Sequence, residues 1–356
     1  MNISQLKTIA SNILNELKEA RSDKESSLAF IINQIPEKSI VQDKEIFQVL
    51  TIGGTLGNKA LVKKDNGNLK ILKKENFDLP VFGTKEDLLN CLGNLLDKSV
   101  KAVSINFAYP LKPVFERDKL DGILLRGTKE HQFKGLIGER VGQTFENYVK
   151  EKFNRNIQVY LANDTICLLL SGLTKNPWNN LASLVLGTGF NCAIFLEEKK
   201  LVNLEAGNFD KLPQSSTGKI IDDSSQAPGT MIFEKEVAGA YLYQHFNFVI
   251  KEKGLDYPII YKTSKISEAL NSPDYRVSEI AKNVLEHSAQ YVSCMIAGIL
   301  EYSQKDMIFV VEGNLFLKAP NYEECVQKYI SELTDFKVKF IQVKNSNILG
   351  AARLVA

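Results

Sequence analysis

Histidine is scarce in this chain: His131, His245 and His287 are the only three in 356 residues, and they stand far apart. Such spacing offers no metal-ligand cluster and argues against a His/Cys zinc site. Cysteine is hardly more plentiful. Cys91, Cys167, Cys192, Cys294 and Cys325 make an odd count with no CxxC pair, and most lie in apolar segments. They read as reduced, buried thiols of an intracellular protein. Long hydrophobic runs are missing, and no stretch reaches membrane-spanning length. The opening Met1-Asn2-Ile3-Ser4-Gln5-Leu6-Lys7 lacks a secretory leader's apolar centre and any mitochondrial-type anchor, so a cytoplasmic location is expected. Excess charge is absent too: 44 Lys and Arg against 42 Asp and Glu leave +2. No basic run is dense enough to argue for nucleic acid, and Lys63-Lys64 and Lys199-Lys200 read as solvated faces. A small anionic ligand stays open, because backbone amides bind phosphate without net basic charge.

What is present is ordinary soluble-protein composition, 44% hydrophobic and 24% charged, in a chain long enough for two domains. Ile3, Leu6, Ile9, Ile13, Leu14 and Leu17 fall at helical spacing and predict an amphipathic helix packed on something larger. A second short helix is expected over Ser26 to Gln34. Ile46 to Ile52 reads as a strand running into Gly53-Gly54-Thr55-Leu56-Gly57. Lys59 to Val62 resumes a strand, and Asp65-Asn66-Gly67-Asn68 is a hairpin signal leading to Leu69 to Leu72. A leucine-rich helix around Leu88 to Leu96 and a strand over Ala102 to Phe107, ending near Pro110, complete the first half.

The second half repeats that order. Ala182 to Leu186 and Cys192 to Leu196 read as strands around Gly187-Thr188-Gly189-Phe190, with Leu201 to Leu204 as the third. Helices are expected over about Thr230 to Val249 and Arg276 to Tyr302, a buried strand over Met307 to Val311, a helix after Pro320, a strand over Val338 to Val343, and a last helix from about Gly350. Two copies point to a duplicated domain rather than a solenoid. Each copy has a Gly/Thr turn between its first two strands, where consecutive N–H groups can wrap a phosphate. Between the copies, Ile157 to Tyr160 reads as a strand, Leu161-Ala162-Asn163-Asp164-Thr165 as a polar turn, and Ile166 to Gly172 as a buried helix. Asp164 is expected to cap that helix. A carboxylate there also stands at a strand's carboxyl end, where ligands bind in open α/β sheets.

Seven segments in order resemble the hexokinases of the actin-like ATPase superfamily, from about Ser26 to the C-terminus. Gly53-Gly54-Thr55 resembles the phosphate-1 turn, Leu161 to Thr165 the Asn-Asp-Thr segment, and Leu186 to Asn191 the phosphate-2 turn. Asn203-Leu204-Glu205-Ala206-Gly207-Asn208-Phe209 resembles the family's Asn-x-Glu-x-Gly-x-Phe segment. Pro228-Gly229-Thr230-Met231-Ile232-Phe233-Glu234-Lys235 resembles its Pro-Gly-x-x-x-Phe-Glu-Lys segment. Val311 to Leu315 resembles the adenosine motif, and Thr128-Lys129 the sugar-contacting pair.

The resemblance implies an α/β, two-lobed actin-like (ribonuclease H-like) fold, a duplicated β-meander plus helices with a cleft between lobes that closes over the sugar. The small lobe is expected over 46–163 plus 343–356, and the large lobe over 1–45 plus 164–342. The implied activity is ATP-dependent phosphorylation of the 6-hydroxyl of glucose or a related hexose, the first step of glycolysis, by a monomer or homodimer with Mg²⁺. Asp164 is implied as base. Thr128, Lys129, Asn163, Asn191, Glu205, Glu234 and Pro110 would hold the sugar. Gly53, Gly54, Thr55, Gly187, Thr188 and Gly189 would cradle phosphates, and Gly313 and Asn314 would meet adenosine. No residue is assigned as a metal ligand.

The chain departs from the family at Thr51, where an Asp serving the Mg²⁺ site is usual, and at Asn58, where an Arg is usual, with Lys59 adjacent. It departs also at Ala108, Gly127 and Met231. The sugar cage is mostly kept and the metal–phosphate half is eroded, which motivates an alternative: a catalytically weak, hexokinase-like sugar sensor or regulator. A same-fold kinase for another acceptor, such as an N-acetylated hexose, is a third reading. The zinc-type cysteine cluster of the repressor-related sugar kinases is absent.

Overall fold

The computed structural model describes residues 1–128 and 130–356. Among them run thirteen strands: β1 Ile31–Gln34, β2 Ile46–Ile52, β3 Leu56–Asp65, β4 Asn68–Asp78, β5 Ala102–Phe107, β6 Leu111–Glu116, β7 Lys119–Leu124, β8 Gln158–Ala162, β9 Leu181–Leu186, β10 Phe190–Glu197, β11 Lys200–Asn203, β12 Met307–Glu312 and β13 Val338–Ile341. The chain forms two compact units, one of Met1–Phe30, Ala182–Cys192 and Asn203–Gln342, the other of Ile31–Leu181, Ala193–Val202 and Val343–Ala356.

In the first unit β9 neighbours β12, and β12 runs parallel to β13. Its long helix, Tyr275–Ser303, is buried without interruption from Ser288 to Leu300. The N-terminal helix Ile3–Arg21 packs on it, as its apolar spacing predicts, burying Leu6, Ile9, Ile13 and Leu17. Contact is close enough that a Cβ on Gly298 would lie 2.5 Å from Ile13 Cγ2. A capping box between Asn2 and Gln5 starts the helix by satisfying two of its open N–H groups.

The second unit holds a five-stranded sheet ordered β4-β3-β2-β5-β8. β2, β3 and β4 form the expected antiparallel meander, turned at Asn66-Gly67. β5 and β8 then add parallel to β2. Helix Lys85–Leu95, started by a Thr84–Asp87 capping box, and helix Val141–Phe153 contribute to its core with Leu88, Leu92 and Phe145. The last helix, Ser346–Ala352, packs on Asp164–Ser171, where a Cβ on Gly350 would fall 1.6 Å from the Cys167 carbonyl oxygen. That packing keeps Asp164–Ser171 in the second unit, whereas the sequence places a lobe boundary just before it.

Two other elements differ from expectation, and a third is one the sequence reading does not assign. Ser26 to Gln34 is not helical: Ser26 and Ser27 turn inward to the Glu16 carboxylate, and β-branched Ile31 and Ile32 begin strand β1. The helix expected over Thr230 to Val249 is two helices, Ile232–Val237 and Leu242–Glu252. The break is tertiary, because Gly239 and Ala240 give their N–H groups to the carbonyls of Gly187 and Thr188. The β6–β7 hairpin has no Gly or Asn signal. Its turn residues Arg117 and Asp118 both take positive φ.

Candidate active site

The phosphate-2 turn is built from three directions within the first unit. Gly187 N–H bonds the Gly189 carbonyl at 3.1 Å, closing the turn between β9 and β10. The Gly239 and Ala240 N–H groups hold its outer carbonyls at 2.8 and 3.0 Å. Gly313, at φ +123°, passes so near that a Cβ there would sit 2.1 Å from the Leu186 oxygen. Only glycine fits such a backbone and such an approach. The predicted turn residues and Gly313 are therefore together, and Asn314 opens helix Asn314–Lys318 beside them.

The predicted sugar residues of this unit form one network on the same turn. Glu234 Oε2 accepts the Phe190 N–H at 2.9 Å and lies where a side chain on Gly189 would stand. Asn191 Oδ1 accepts N–H groups of Cys192 and Ala206, and its Nδ2 donates to Asn203 Oδ1 at 2.8 Å. Asn203 Nδ2 donates in turn to Glu205 Oε1 at 2.7 Å. Glu205 occupies the left-handed region (φ +46°), a backbone that costs a non-glycine residue on the order of 1–3 kcal/mol unless its surroundings fix it. Asn203, buried at 4% exposure, is the link the sequence reading leaves out of the site. Its signal is the i, i+2 Asn-x-Glu spacing at a strand's end. Glu234 is anchored from behind: its neighbour Lys235 makes a buried ion pair with Asp222 and bonds the Ala227 carbonyl. Burial raises the Asp222 carboxyl, but Lys235 and the Gly229 N–H outweigh it and hold the group below the usual carboxylate range.

In the second unit, Asp164 is the first residue of helix Asp164–Ser171 at the end of β8. The N-cap is not Asp164 but Asn163, in extended backbone, whose Oδ1 takes the Thr165 N–H at 2.8 Å. The Asp164 carboxylate shares that N–H at 2.9 Å and is half-buried. A negative group on the first turn is favoured by the helix dipole.

The carbonyls of the phosphate-1 turn are held by two aromatic residues that sequence reasoning misses. Tyr109 Oη donates to the Gly53 oxygen at 2.5 Å, and burial pushes that hydroxyl upward, so it stays protonated. His131 Nδ1 accepts the Phe82 N–H at 2.9 Å, and Nε2 meets the Gly54 oxygen at 2.8 Å. An N–H only donates and a carbonyl only accepts, so this pairing calls for the tautomer protonated on Nε2. Thr128 gives its carbonyl to the His131 N–H, and Pro110 gives its own to Leu125 N–H. Lys129 lies outside the described residues.

Thr51 is buried and accepts the Asn58 N–H at 2.9 Å. It pairs across the sheet with Asn58 on β3 and Asn106 on β5. Asn347 reaches Asn58 Oδ1 from the C-terminal helix at 3.5 Å. This corner is wholly uncharged. Among the described residues no group of three or more His, Cys, Asp or Glu could hold a metal ion.

The comparisons with known proteins agree on one family. The hexokinase family profile matches residues 181–271 and 258–356. Hexokinase-1 of Arabidopsis thaliana is 24% identical over a 442-residue alignment covering 99% of this chain and 88% of the relative. Hexokinase of Kluyveromyces lactis is 25% identical over 301 residues, 74% of this chain and 61% of the relative. The solved hexokinase of Schistosoma mansoni, complexed with glucose, superposes with TM-score 0.83 at 19% identity, covering 100% of this chain and 95% of that one. A ROK hexokinase of Thermus thermophilus gives 0.60 at 16% identity over 87% of this chain and 97% of that one. The α/β actin-like fold class is thus the observed one. With its motif order, its turn geometry and these matches, the chain belongs to the hexokinase family.

Proposed function

We propose that this chain transfers the γ-phosphate of ATP to the 6-hydroxyl of glucose or a related hexose, with Asp164 as the base. The observation that carries the reading is the state of Asp164. Asn163 supplies the helix cap, so the carboxylate is not needed to start the helix and is half-buried on its first turn. Phosphoryl transfer asks for a carboxylate that accepts the hydroxyl proton, an in-line arrangement and charge neutralisation.

Asn191, Glu205 and Glu234, with Asn203 behind them, are assigned to the sugar. A hexose offers hydroxyls that both donate and accept, which suits amides and carboxylates already fixed by one another. Thr128, Lys129, Asn163 and Pro110 are likewise assigned to the sugar. The turns Gly53–Thr55 and Gly187–Gly189 are assigned to phosphates, and Gly313 and Asn314 to adenosine. The holding of Gly187 and Thr188 carbonyls by backbone N–H groups supports a turn whose conformation is set before the nucleotide arrives.

Mg²⁺ takes oxygen ligands and commonly arrives on nucleotide phosphates with part of its water shell. Thr51, Asn58 and Asn106 offer neutral oxygens, which fit an ion brought in on the phosphates rather than one caged by protein. When bound, it would neutralise charge on the transferred group. The comparisons give no support to the sugar-sensor reading over the kinase reading. Among the described residues no helix is long and apolar enough to cross a membrane. A coupled ADP assay with glucose, fructose and mannose tests the proposal. Sugar-dependent turnover is expected, and its absence with every hexose would overturn it.

A further inference from the structure

The first unit contains a cavity of about 550 Å³ lined by none of the residues assigned to the sugar, the phosphates or adenosine. That volume falls in the range of small-molecule sites. It opens between helix Leu242–Glu252 and helix Tyr275–Ser303. Leu242, Val249, Leu255, Ile280 and Val284 give it apolar walls. Its floor is polar and fixed. Thr217 Oγ1 lies 2.6 Å from His245 Nδ1, and His245 Nε2 meets the Lys235 carbonyl at 2.9 Å. A carbonyl only accepts, so Nε2 carries the proton and Nδ1 takes the threonine hydrogen.

Beside them His287 lines the cavity with one nitrogen committed. Its Nε2 donates to Glu236 Oε2 at 2.9 Å, a carboxylate with no exposure that also accepts the N–H and hydroxyl of Ser215. The other ring nitrogen, Nδ1, makes no hydrogen bond among the described residues. At the mouth, Lys253 and Glu279 are exposed and neither has an ion pair among the described residues. Arg276 is already held by Asp274 through Nε and Nη2. Asn283 completes the rim.

We propose that this cavity is a second binding site, for a small anion that carries an apolar body and a hydrogen-bond donor. The apolar body lies against Val249, Leu255 and Val284. The acid group meets Lys253, and the donor meets Glu279 or the free nitrogen of His287. The walls alone would accept any greasy molecule; the unpaired lysine and the unpaired acceptor select this class.

Anilinonaphthalene sulfonate has these three features and fluoresces when its rings leave water. Titrated into the native full chain, it is expected to saturate at one molecule per chain. Excess glucose and ATP should not displace it. Val249→Trp fills the cavity and should abolish the signal with the melting temperature kept. Should that variant not fold, Asn283→Trp at the rim serves instead. Lys253→Glu should weaken binding about fivefold, the worth of one exposed charge contact. Non-saturable binding, displacement by ATP or glucose, or equal binding by the filled variant would overturn the proposal. Equal binding by Lys253→Glu would overturn its anion part.

Discussion

The sugar-side network of the first unit and the phosphate-1 corner of the second solve a similar problem in opposite ways. In the first, Asn191, Asn203 and Glu205 bond one another in sequence, and Glu234 is pinned by the Phe190 N–H, so two carboxylates are held by fixed donors. In the second, Thr51, Asn58, Asn106 and Asn347 gather amides and a hydroxyl with no charge among them. Charge persists where a neutral polyhydroxyl ligand is proposed. It is missing where a nucleotide would bring its own metal. Asp164 then stands as the charged residue proposed for chemistry in the second unit, and the contrast predicts that rate depends on it and on little else nearby.

The largest expected effect follows. Asp164→Asn should lower kcat by about 10²–10⁴-fold while glucose affinity, by calorimetry, changes little. If the rate held, the base would lie elsewhere. Lys235→Met would leave Asp222 buried without its partner and should cost about 3–5 kcal/mol in denaturant unfolding. Asn203→Ala removes the link between Asn191 and Glu205. It should cost about 1–3 kcal/mol and raise KM for the sugar more than for ATP. The Asp222 carboxyl is depressed in the folded state, so its stabilising effect is present above the unfolded value. It should fade as pH drops below about 4, seen as a falling melting temperature that Asp222→Asn no longer shows. The smallest change belongs to Thr51→Asp. It should lower the Mg²⁺ concentration for half-maximal rate by a few-fold. A much larger gain in rate would mean the neutral corner limits catalysis.

Much of this was readable from residue order because the signals are local. Apolar, β-prone runs mark β2, β5, β9 and β10, and Asn66-Gly67 turns β3 into β4. What escaped is set by distant contacts. The break at Gly239 and Ala240 exists because those N–H groups are needed by Gly187 and Thr188. Tyr109 and His131 carry no local signal for the role the fold gives them on the Gly53 and Gly54 carbonyls. Asp164 was located in the sequence and its capping role was misassigned, since Asn163 and Asp164 both suit an N-cap and only backbone geometry separates them. In the Arg117-Asp118 turn only Asp118 is of a type that favours positive φ, and Arg117 gives no such signal.

The central claim is transfer to the 6-hydroxyl, and the most direct measurement pairs glucose with 6-deoxyglucose. Both should bind by calorimetry with similar affinity. With Mg-ATP, glucose should drive ADP release and 6-deoxyglucose none above the sugar-free rate. Equal ADP release with both sugars, or none with glucose, would contradict the account.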